Sequence, residues 1–332
     1  MPSPTPGLPA LTGDLSMSLK PLALSLILAA SASPLSAEPI HLSHSFGETV
    51  VDPEKVQRIV SVGYHEQDFL YALGLAPVGV HEWFGKKPYA TWPWAEAARQ
   101  AVGAEPEVQN GFEIDVEWVW SLQPDLIVAT FAPMDQRTYE ALSQIAPVLG
   151  RPEGFPDWGA PWEEELRLMA RATGREAKAE EIIAGLDARI AKSVADHPEF
   201  AGKTATMAYF NEGQIVGYRS TDGANRLLGK LGFATPKAYD EMAGAGGNFT
   251  VSTERLDLFD LDAVLWLVEP PSRAVLEALP VWPATRMARE GRAIWADPEL
   301  VGAMSFQSPL SIGWGLDQLV PALATAVAGK AP

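Results

Sequence analysis

Short apolar runs alternate with amphipathic segments after a polar lead-in at residues 41–55. Each run is a few residues long and rich in Val, Ile or Leu, which is typical of strands buried on both faces of a sheet. The strands are predicted at residues 58–63, 77–80, 125–129 and 148–149, and the helices at 66–73, 115–122 and 136–145. This alternation predicts a parallel sheet covered by helices on both faces.

A long segment without internal proline follows Pro161 and extends to His197. It is rich in Ala, Glu, Arg and Lys, and its apolar residues recur at helical spacing. The pattern predicts one long helix, or two helices that break near Gly174, and Pro198 ends it.

The alternation of strands and helices restarts at Lys203. The strands are predicted at residues 204–210, 214–218, 263–268 and 292–295, and the helices at 222–231, 252–259, 272–279 and 316–328. Residues 214–218 can form a hairpin with the strand before them, because a turn sequence at residues 211–213 separates the two runs. The second half of the chain therefore also predicts an α/β layer.

Two features of the first half recur in the second. The sequence Leu-Gly-Leu-Ala-Pro at 73–77 is echoed by Leu-Gly-Phe-Ala-Thr-Pro at 231–236. In each half, a short helix has a glutamate in its first turn, and an aspartate eight residues later opens an apolar strand. The two pairs are Glu117 with Asp125 and Glu254 with Asp262. We therefore predict an α/β protein of two Rossmann-like lobes with parallel-type sheets, at residues 38–157 and 199–332, joined by a long rigid interlobe helix at 158–198.

Composition excludes several classes of protein. The 332 residues include no cysteine, and 42 acidic against 25 basic residues give a formal charge of −17. Without cysteine there is no disulfide scaffold, zinc ribbon, iron–sulfur cluster or thiol nucleophile. The negative charge argues against binding the phosphate backbone of a nucleic acid or an anionic membrane surface.

The N-terminus has the pattern of a secretory signal peptide at residues 1–37. Lys20 precedes an apolar stretch at 22–32 that is too short to span a membrane, and cleavage is expected after Ala37. Met17 is a possible true start. We expect a protein that is exported from the cytoplasm without direct membrane insertion, and not a lipoprotein, because a lipoprotein needs a lipidated cysteine.

Three motifs together resemble a known family. Residues 58–63, residues 73–80 and the sequence Glu-Trp-Val-Trp-Ser-Leu-Gln-Pro-Asp-Leu-Ile-Val at 117–128 are similar to the class III, helical-backbone periplasmic binding proteins of ABC importers for ferric siderophores, haem and cobalamin. The similarity extends over essentially all of the exported chain. Glu66-Gln67-Asp68, with the aromatic run at 83–94, resembles the siderophore-binding branch. The resemblance implies two rigid lobes with the ligand in the cleft between them.

The resemblance also implies partners and site residues. Glu117 and Glu254 match the two glutamates that dock the family's proteins onto an ABC permease dimer in the inner membrane. The alternative is that each acid only complements a helix dipole. Aromatic rings would bury the apolar flanks of a ferric siderophore, and guanidinium or phenol groups would bind its oxygens. The expected ligand-binding residues are Tyr64, His65, Trp83, Phe84, Tyr218, Arg219, Trp282 and Phe306.

Three functions are weighed. A monomer that captures a ferric siderophore is preferred, with a hydroxamate type favoured over a catecholate, because only Arg219 is placed as a cation in the cleft. No cofactor or metal ligand is expected, since the siderophore carries the iron. Haem or cobalamin is the second candidate, with Tyr64, His65 or Tyr218 as an axial ligand for haem. The third, a metal-dependent periplasmic enzyme using His65 and His81, is disfavoured because enzyme motifs are absent.

Overall fold

The structure, a computed structural model, describes Met1 and residues 39–244, 247–268 and 270–329. Apart from Met1, the predicted signal peptide lies outside the described residues. The first described element is a hairpin in which β1 (Ile40–His44) pairs antiparallel with β2 (Gly47–Val51). Leu42 and Val51 on its inner face are buried, so the segment predicted to be a polar lead-in is in fact a hairpin with one covered face.

The first lobe is built on a five-stranded parallel sheet. Its strands are β3 (Ile59–Ser61), β4 (Gly79–His81), β5 (Glu107–Gln109), β6 (Leu126–Ala129) and β7 (Val148–Gly150), and its helices are α1 (Glu66–Ala72), α2 (Pro93–Ala101), α3 (Val116–Ser121) and α4 (Gln136–Ser143). The strand order is β5-β4-β3-β6-β7. The central strands β3 and β6 are buried along their whole length, which explains why they read as continuous apolar runs.

Two consecutive helices follow the first lobe. They are α5 (Trp162–Thr173) and α6 (Glu176–Asp196). Gly174 separates them with a left-handed φ of +64°, a conformation that glycine adopts without the steric cost of a Cβ. Of the two possibilities in the sequence, the structure therefore has two helices broken at Gly174.

The second lobe contains a mixed five-stranded sheet. Its strands are β8 (Ala205–Asn211), β9 (Gln214–Tyr218), β10 (Asn248–Ser252), β11 (Ala263–Trp266) and β12 (Ala293–Trp295), and its helices are α7 (Gly223–Lys230), α8 (Lys237–Ala243), α9 (Pro270–Glu277), α10 (Arg286–Glu290), α11 (Pro298–Phe306) and α12 (Pro309–Val327). The order is β10-β9-β8-β11-β12. β9 is antiparallel to both neighbours, and β11 is parallel to β8 and β12.

The two lobes repeat one plan. Counted in chain order within each sheet, the strand order is the same in both lobes. Asp125 accepts hydrogen bonds from the backbone N–H groups of Gln57 and Arg58, each at 2.9 Å. Asp262 accepts from the backbone N–H of Thr204 at 2.9 Å. Each aspartate thus fixes the start of its lobe's central strand, and the predicted two-lobe α/β fold is confirmed.

The last two helices pack against the first lobe as well as the second. A Cβ on Gly302 would lie 2.8 Å from the ring of Trp92 and 2.9 Å from that of Trp94. The Ser308 hydroxyl donates to Asp68 in α1 at 2.6 Å. Although α12 has the length and hydropathy of a membrane span, its Leu319 is fully buried within the protein. It therefore packs as a core helix.

Candidate functional site

A cavity of about 580 Å³ lies between the two lobes. In the first lobe it is lined by residues that directly follow β3, β4 and β6; in the second, by the end of β9 and by α7. Open α/β sheets bind ligands at the carboxyl ends of their strands, and the cavity occupies this edge of the first-lobe sheet. Its position is therefore that of a ligand site.

Aromatic rings form one side of the cavity. Tyr64 lies between Trp83, at 5.6 Å and 12° between ring planes, and Trp158, at 5.8 Å and 8°. Phe131 meets Trp158 edge-on at 4.7 Å. We call these four residues the aromatic wall. Burial raises the pKa of Tyr64, whose hydroxyl donates to the Phe112 carbonyl at 2.9 Å. The wall offers apolar ring surface to a bulky ligand.

Trp158 reaches the aromatic wall through an unusual backbone conformation. Its φ is +61°, which is uncommon for a bulky residue. The Arg226 side chain, from α7 in the second lobe, donates to the Gly159 carbonyl at 3.0 Å and so fixes the neighbouring backbone. No sequence motif marks Trp158 or Arg226, because the position of this loop residue depends on a contact from the other lobe.

Three basic residues of the second lobe also line the cavity. Arg219, Arg226 and Lys230, which we call the basic wall, all line it. The Lys230 ammonium pairs with Glu163 and, at 3.2 Å, with Asp187. The Arg226 guanidinium donates to backbone carbonyls, and the carboxylates of Glu163 and Asp222 also act on its charge. Planar guanidinium donors suit a ligand rich in oxygen acceptors.

A buried histidine lies beneath the aromatic wall. The Nδ1 of His65 is 2.5 Å from the carbonyl oxygen of Phe306, and its Nε2 is 2.8 Å from a carboxylate oxygen of Glu165. A carbonyl can only accept, so Nδ1 carries a proton. Burial opposes the charged ring, but the Glu165 carboxylate outweighs it and raises the pKa of His65. The pair ties α5 to the end of α11.

Asp68 is a second buried carboxyl near the site, and its pKa predicts a pH dependence. It accepts from the Trp94 indole N–H at 2.7 Å and the Ser308 hydroxyl at 2.6 Å. Burial nevertheless raises its pKa from 3.8 to about 6. The folded protein therefore holds a proton more tightly than the unfolded chain, and stability falls as pH rises through this window.

We expect Asp68→Asn to remove that part of the pH dependence. At about 1.4 kcal/mol per pKa unit, Asp68 should lower the free energy of unfolding by about 3 kcal/mol in all, of which about 2 kcal/mol falls between pH 4 and pH 6. The measurement is urea unfolding of both proteins at several pH values across this range. Parallel pH profiles for the wild type and the variant would contradict the assignment.

Most of the predicted ligand residues line the cavity. The six that the structure brings together there are Tyr64, His65, Trp83, Tyr218, Arg219 and Phe306. His65 borders the cavity but is only 3% exposed. Its ring therefore mainly supports the aromatic wall from beneath, and its nitrogens are hardly accessible from the cavity. Phe131, Trp158, Arg226 and Lys230 join them as lining residues that sequence analysis did not name.

Two predicted cleft residues lie elsewhere. Phe84 packs behind the aromatic wall, with its ring 5.4 Å from Trp92, and does not line the cavity. Trp282 is buried in the core of the second lobe against Trp295, at 5.6 Å between ring centroids. Neither residue lines the cavity, because a ring close to a strand end or in a Pro-containing turn also packs well into a neighbouring core.

The histidines considered for a metal site are engaged in other contacts. His81 has one ring nitrogen 2.8 Å from the Val62 carbonyl and the other 2.7 Å from the Gly111 carbonyl. His65 is held by Phe306 and Glu165 as described. Among the described residues, no group of three or more His, Asp or Glu side chains is arranged to hold a metal ion.

Glu117 and Glu254 occupy equivalent, exposed places in the two lobes. Glu117 lies in the first turn of α3, which Asp115 caps, and Glu254 lies in the short 3-10 helix Thr253–Phe259 directly after β10. The helix of Glu117 therefore begins at the edge of the first-lobe sheet that the cavity occupies. The helix of Glu254 begins at the other end of β10 from the cavity, because Ser252 pairs with Gln214, whereas Asn248 and its partner Tyr218 line the cavity. Among the described residues, neither carboxylate forms an ion pair.

Comparison with known proteins agrees with this geometry. A family model described as periplasmic binding protein matches residues 59–300. The chain is 27% identical over 226 residues to the "Probable siderophore-binding lipoprotein YfiY" of Bacillus subtilis (strain 168), a match that covers 67% of this chain and 66%, slightly under two thirds, of the relative. It is 26% identical over 253 residues to the achromobactin-binding periplasmic protein of Dickeya dadantii (strain 3937), covering 72% and 77%.

A solved structure extends the similarity to the whole fold. The periplasmic solute binding protein from Mycobacterium smegmatis superposes with a TM-score of 0.78 and 32% identity. The superposition covers 87% of this chain and 99% of that chain. The repeated lobes and the cavity between them thus belong to an architecture already known in solute-binding proteins.

Proposed function

The chain belongs to the periplasmic binding protein family, and from this premise we propose that it captures a ferric siderophore between its lobes and delivers it to an ABC permease. The observation that carries the proposal is the interlobe cavity, lined by both the aromatic wall and the basic wall. A ferric siderophore has apolar flanks and a ring of oxygens around the metal, which match these two surfaces. Two relatives are named for siderophore binding.

The action proposed is binding without chemical change of the ligand. The iron arrives already held by its chelator, so the protein needs no metal ligand or cofactor of its own. We propose that the exported chain acts as a monomer in the periplasm. Since the sequence has no cysteine, we also propose that it carries no lipid anchor of the kind named for the B. subtilis relative.

The structure removes the reason for preferring a hydroxamate siderophore. That preference depended on Arg219 being the one cation in the cleft, but Arg226 and Lys230 also line the cavity. Haem is a weaker candidate, because both ring nitrogens of His65 are engaged and the Tyr64 hydroxyl donates to Phe112. The test must therefore include anionic and neutral iron chelates as well as haemin.

The deciding experiment is quenching of tryptophan fluorescence by a ligand panel. The panel contains ferric hydroxamates, ferric catecholates, ferric carboxylate chelates, haemin, cobalamin and free divalent ions. We expect saturable quenching by one ferric siderophore at micromolar concentration or below. A Soret band with haemin and no response to any iron chelate would overturn the proposal in favour of haem transport.

The aromatic wall gives a sharper test. We expect Trp83→Ala to weaken siderophore affinity about 10–100-fold, since burying one large ring contributes about 1.5–3 kcal/mol. Trp282→Phe is the matched control, because that indole lies in the second-lobe core outside the cavity. Affinities come from the titration above, or from calorimetry where quenching is reduced. Equal effects of the two variants would show that the ligand binds elsewhere.

For delivery, we propose that Glu117 and Glu254 dock the two lobes onto the permease. The carboxylates are exposed, occupy equivalent positions in the repeat of the two lobes, and have no ion-pair partner among the described residues. An exposed acid without an ion pair in its own fold can pair with a basic group of a partner.

A further inference from the structure

Trp120 is the most exposed tryptophan among the residues that the structure describes, at 69%. The helix that carries it, α3, buries its neighbours: Val119 is fully buried, and the Trp118 ring packs where a Cβ on Gly79 would lie. The same packing turns Trp120 outward. A single exposed apolar residue is normal on a protein surface. The groups that surround the Trp120 ring therefore decide whether it has a role.

Glu117 lies on the same face of α3, three residues before Trp120. Residues at this spacing have Cβ atoms about 5–6 Å apart on a helix. A shallow groove adjoins the ring, lined by Ser121, Gln123, Pro124, Gln144 and Ile145. An exposed indole, an unpaired carboxylate and a groove thus form one continuous surface.

This combination fits one type of side chain. A guanidinium is planar and can donate two hydrogen bonds to a carboxylate while its face stacks on an indole. An ammonium is a compact, strongly hydrated charge and gains less from the ring. Arginine is therefore the side chain that can use Glu117 and Trp120 together.

The equivalent surface of the second lobe lacks the ring. In the repeat, Glu254 takes the place of Glu117, and Asp257 takes the place of Trp120. Asp257 accepts a hydrogen bond from Arg255 at 3.0 Å. The second lobe thus presents carboxylates and a guanidinium of its own, whereas the first presents a carboxylate beside an indole.

We propose that Glu117 and Trp120 form a receptor for an arginine side chain on the periplasmic face of the permease, and that this receptor makes the docking surface asymmetric. The inference rests on the proposed function, because it extends the docking surface assigned there to Glu117. The ring adds contact area and a stacking partner at one lobe only. On a permease whose two halves differ, this asymmetry favours one of the two orientations that the paired glutamates would otherwise allow, whereas on a symmetric dimer the two orientations are equivalent.

The test is competition for the permease in its native membrane. Spheroplasts of the native host, grown under iron limitation, bind fluorescent wild-type protein loaded with the ferric siderophore from the panel, and unlabelled variants compete. We expect Trp120→Ala to compete at least about tenfold more weakly. Trp120→Phe should recover most of the loss because it keeps a ring. Val275→Ala, at another exposed apolar site, should compete like the wild type.

A double-mutant cycle asks whether the two groups bind the same side chain. If Glu117→Gln and Trp120→Ala remove contacts with one guanidinium, the losses should not multiply in the double variant. Two outcomes would overturn the receptor but not the docking. In one, the losses of the single variants multiply in the double variant; in the other, Trp120→Ala competes like the wild type while Glu117→Gln competes poorly. The docking assignment would also be overturned if both variants compete like the wild type, or if the loaded wild type shows no saturable binding to the spheroplasts. Siderophore affinity should be the same for every variant.

Discussion

Alanine at both Glu117 and Glu254 is expected to abolish uptake of the ferric siderophore while its binding affinity stays at the wild-type value. Close charge pairs at protein interfaces contribute about 1.5–7 kcal/mol each, and loss of both would remove the anchor of each lobe. Neither carboxylate forms an ion pair within the described protein, so the double variant should fold normally. The measurements are uptake of radioactive iron by cells and siderophore titration of the purified variant.

A matched control separates docking from a loss of surface charge. Glu105 and Glu299 are also exposed acids, one in each lobe, and neither forms an ion pair among the described residues. The double variant Glu105→Ala with Glu299→Ala changes the net charge by the same amount and should transport normally. If both double variants lose uptake equally, or if the docking variant also loses siderophore binding, the assignment of Glu117 and Glu254 is wrong.

Glu165→Ala is expected to cost about 3–5 kcal/mol of folding free energy, because it leaves one member of a buried pair without its partner. Glu165 is 1% exposed and His65 is 3% exposed, so neither group can be solvated when its partner is removed. The variant would leave the His65 ring without its Nε2 partner and would open a cavity beneath the aromatic wall. Chemical unfolding near pH 6 measures the loss.

Glu165→Gln is the control that keeps the volume. With Nδ1 donating to Phe306, a neutral His65 can accept at Nε2 from the glutamine amide, so this variant should lose much less stability. The pKa of His65 is raised by Glu165, so the wild-type pair contributes stability below the ordinary value of 6.5 and loses it as pH rises through the folded-state pKa. The glutamine variant should lack this decline, and an equal decline in both proteins would contradict the pairing.

The sequence predicted the centres of the lobes better than their margins. β3 and β6 are buried along their length, and such strands are continuous apolar runs. At the sheet edge, β5 has three residues and begins with an exposed glutamate, so it gives no apolar run to detect. The strands β1 and β2 alternate polar and apolar residues, so this hairpin has no continuous apolar run and its sequence resembles a polar segment.

The site could be predicted where it depends on strand ends. Tyr64 and Trp83 follow β3 and β4, and parallel strands bring such residues to one edge. Trp158 could not be found in this way, because the backbone beside it is held by Arg226 from the other lobe. Trp282 is the opposite case: its Pro-containing turn suggested a position in the cleft, but the ring packs against Trp295 in the second-lobe core. Contacts between distant segments, which a local pattern does not encode, decide both cases.

The helices at the end of the chain also determine when the first lobe can fold. Gly302 lies against Trp92 and Trp94, and Ser308 donates to Asp68, so α11 and α12 complete a core begun far earlier in the sequence. On export, the first lobe enters the periplasm before these helices, with these indoles and this carboxyl uncovered. Its core is complete only once α11 and α12 have followed, so a chain truncated before α11 should be more open to proteases.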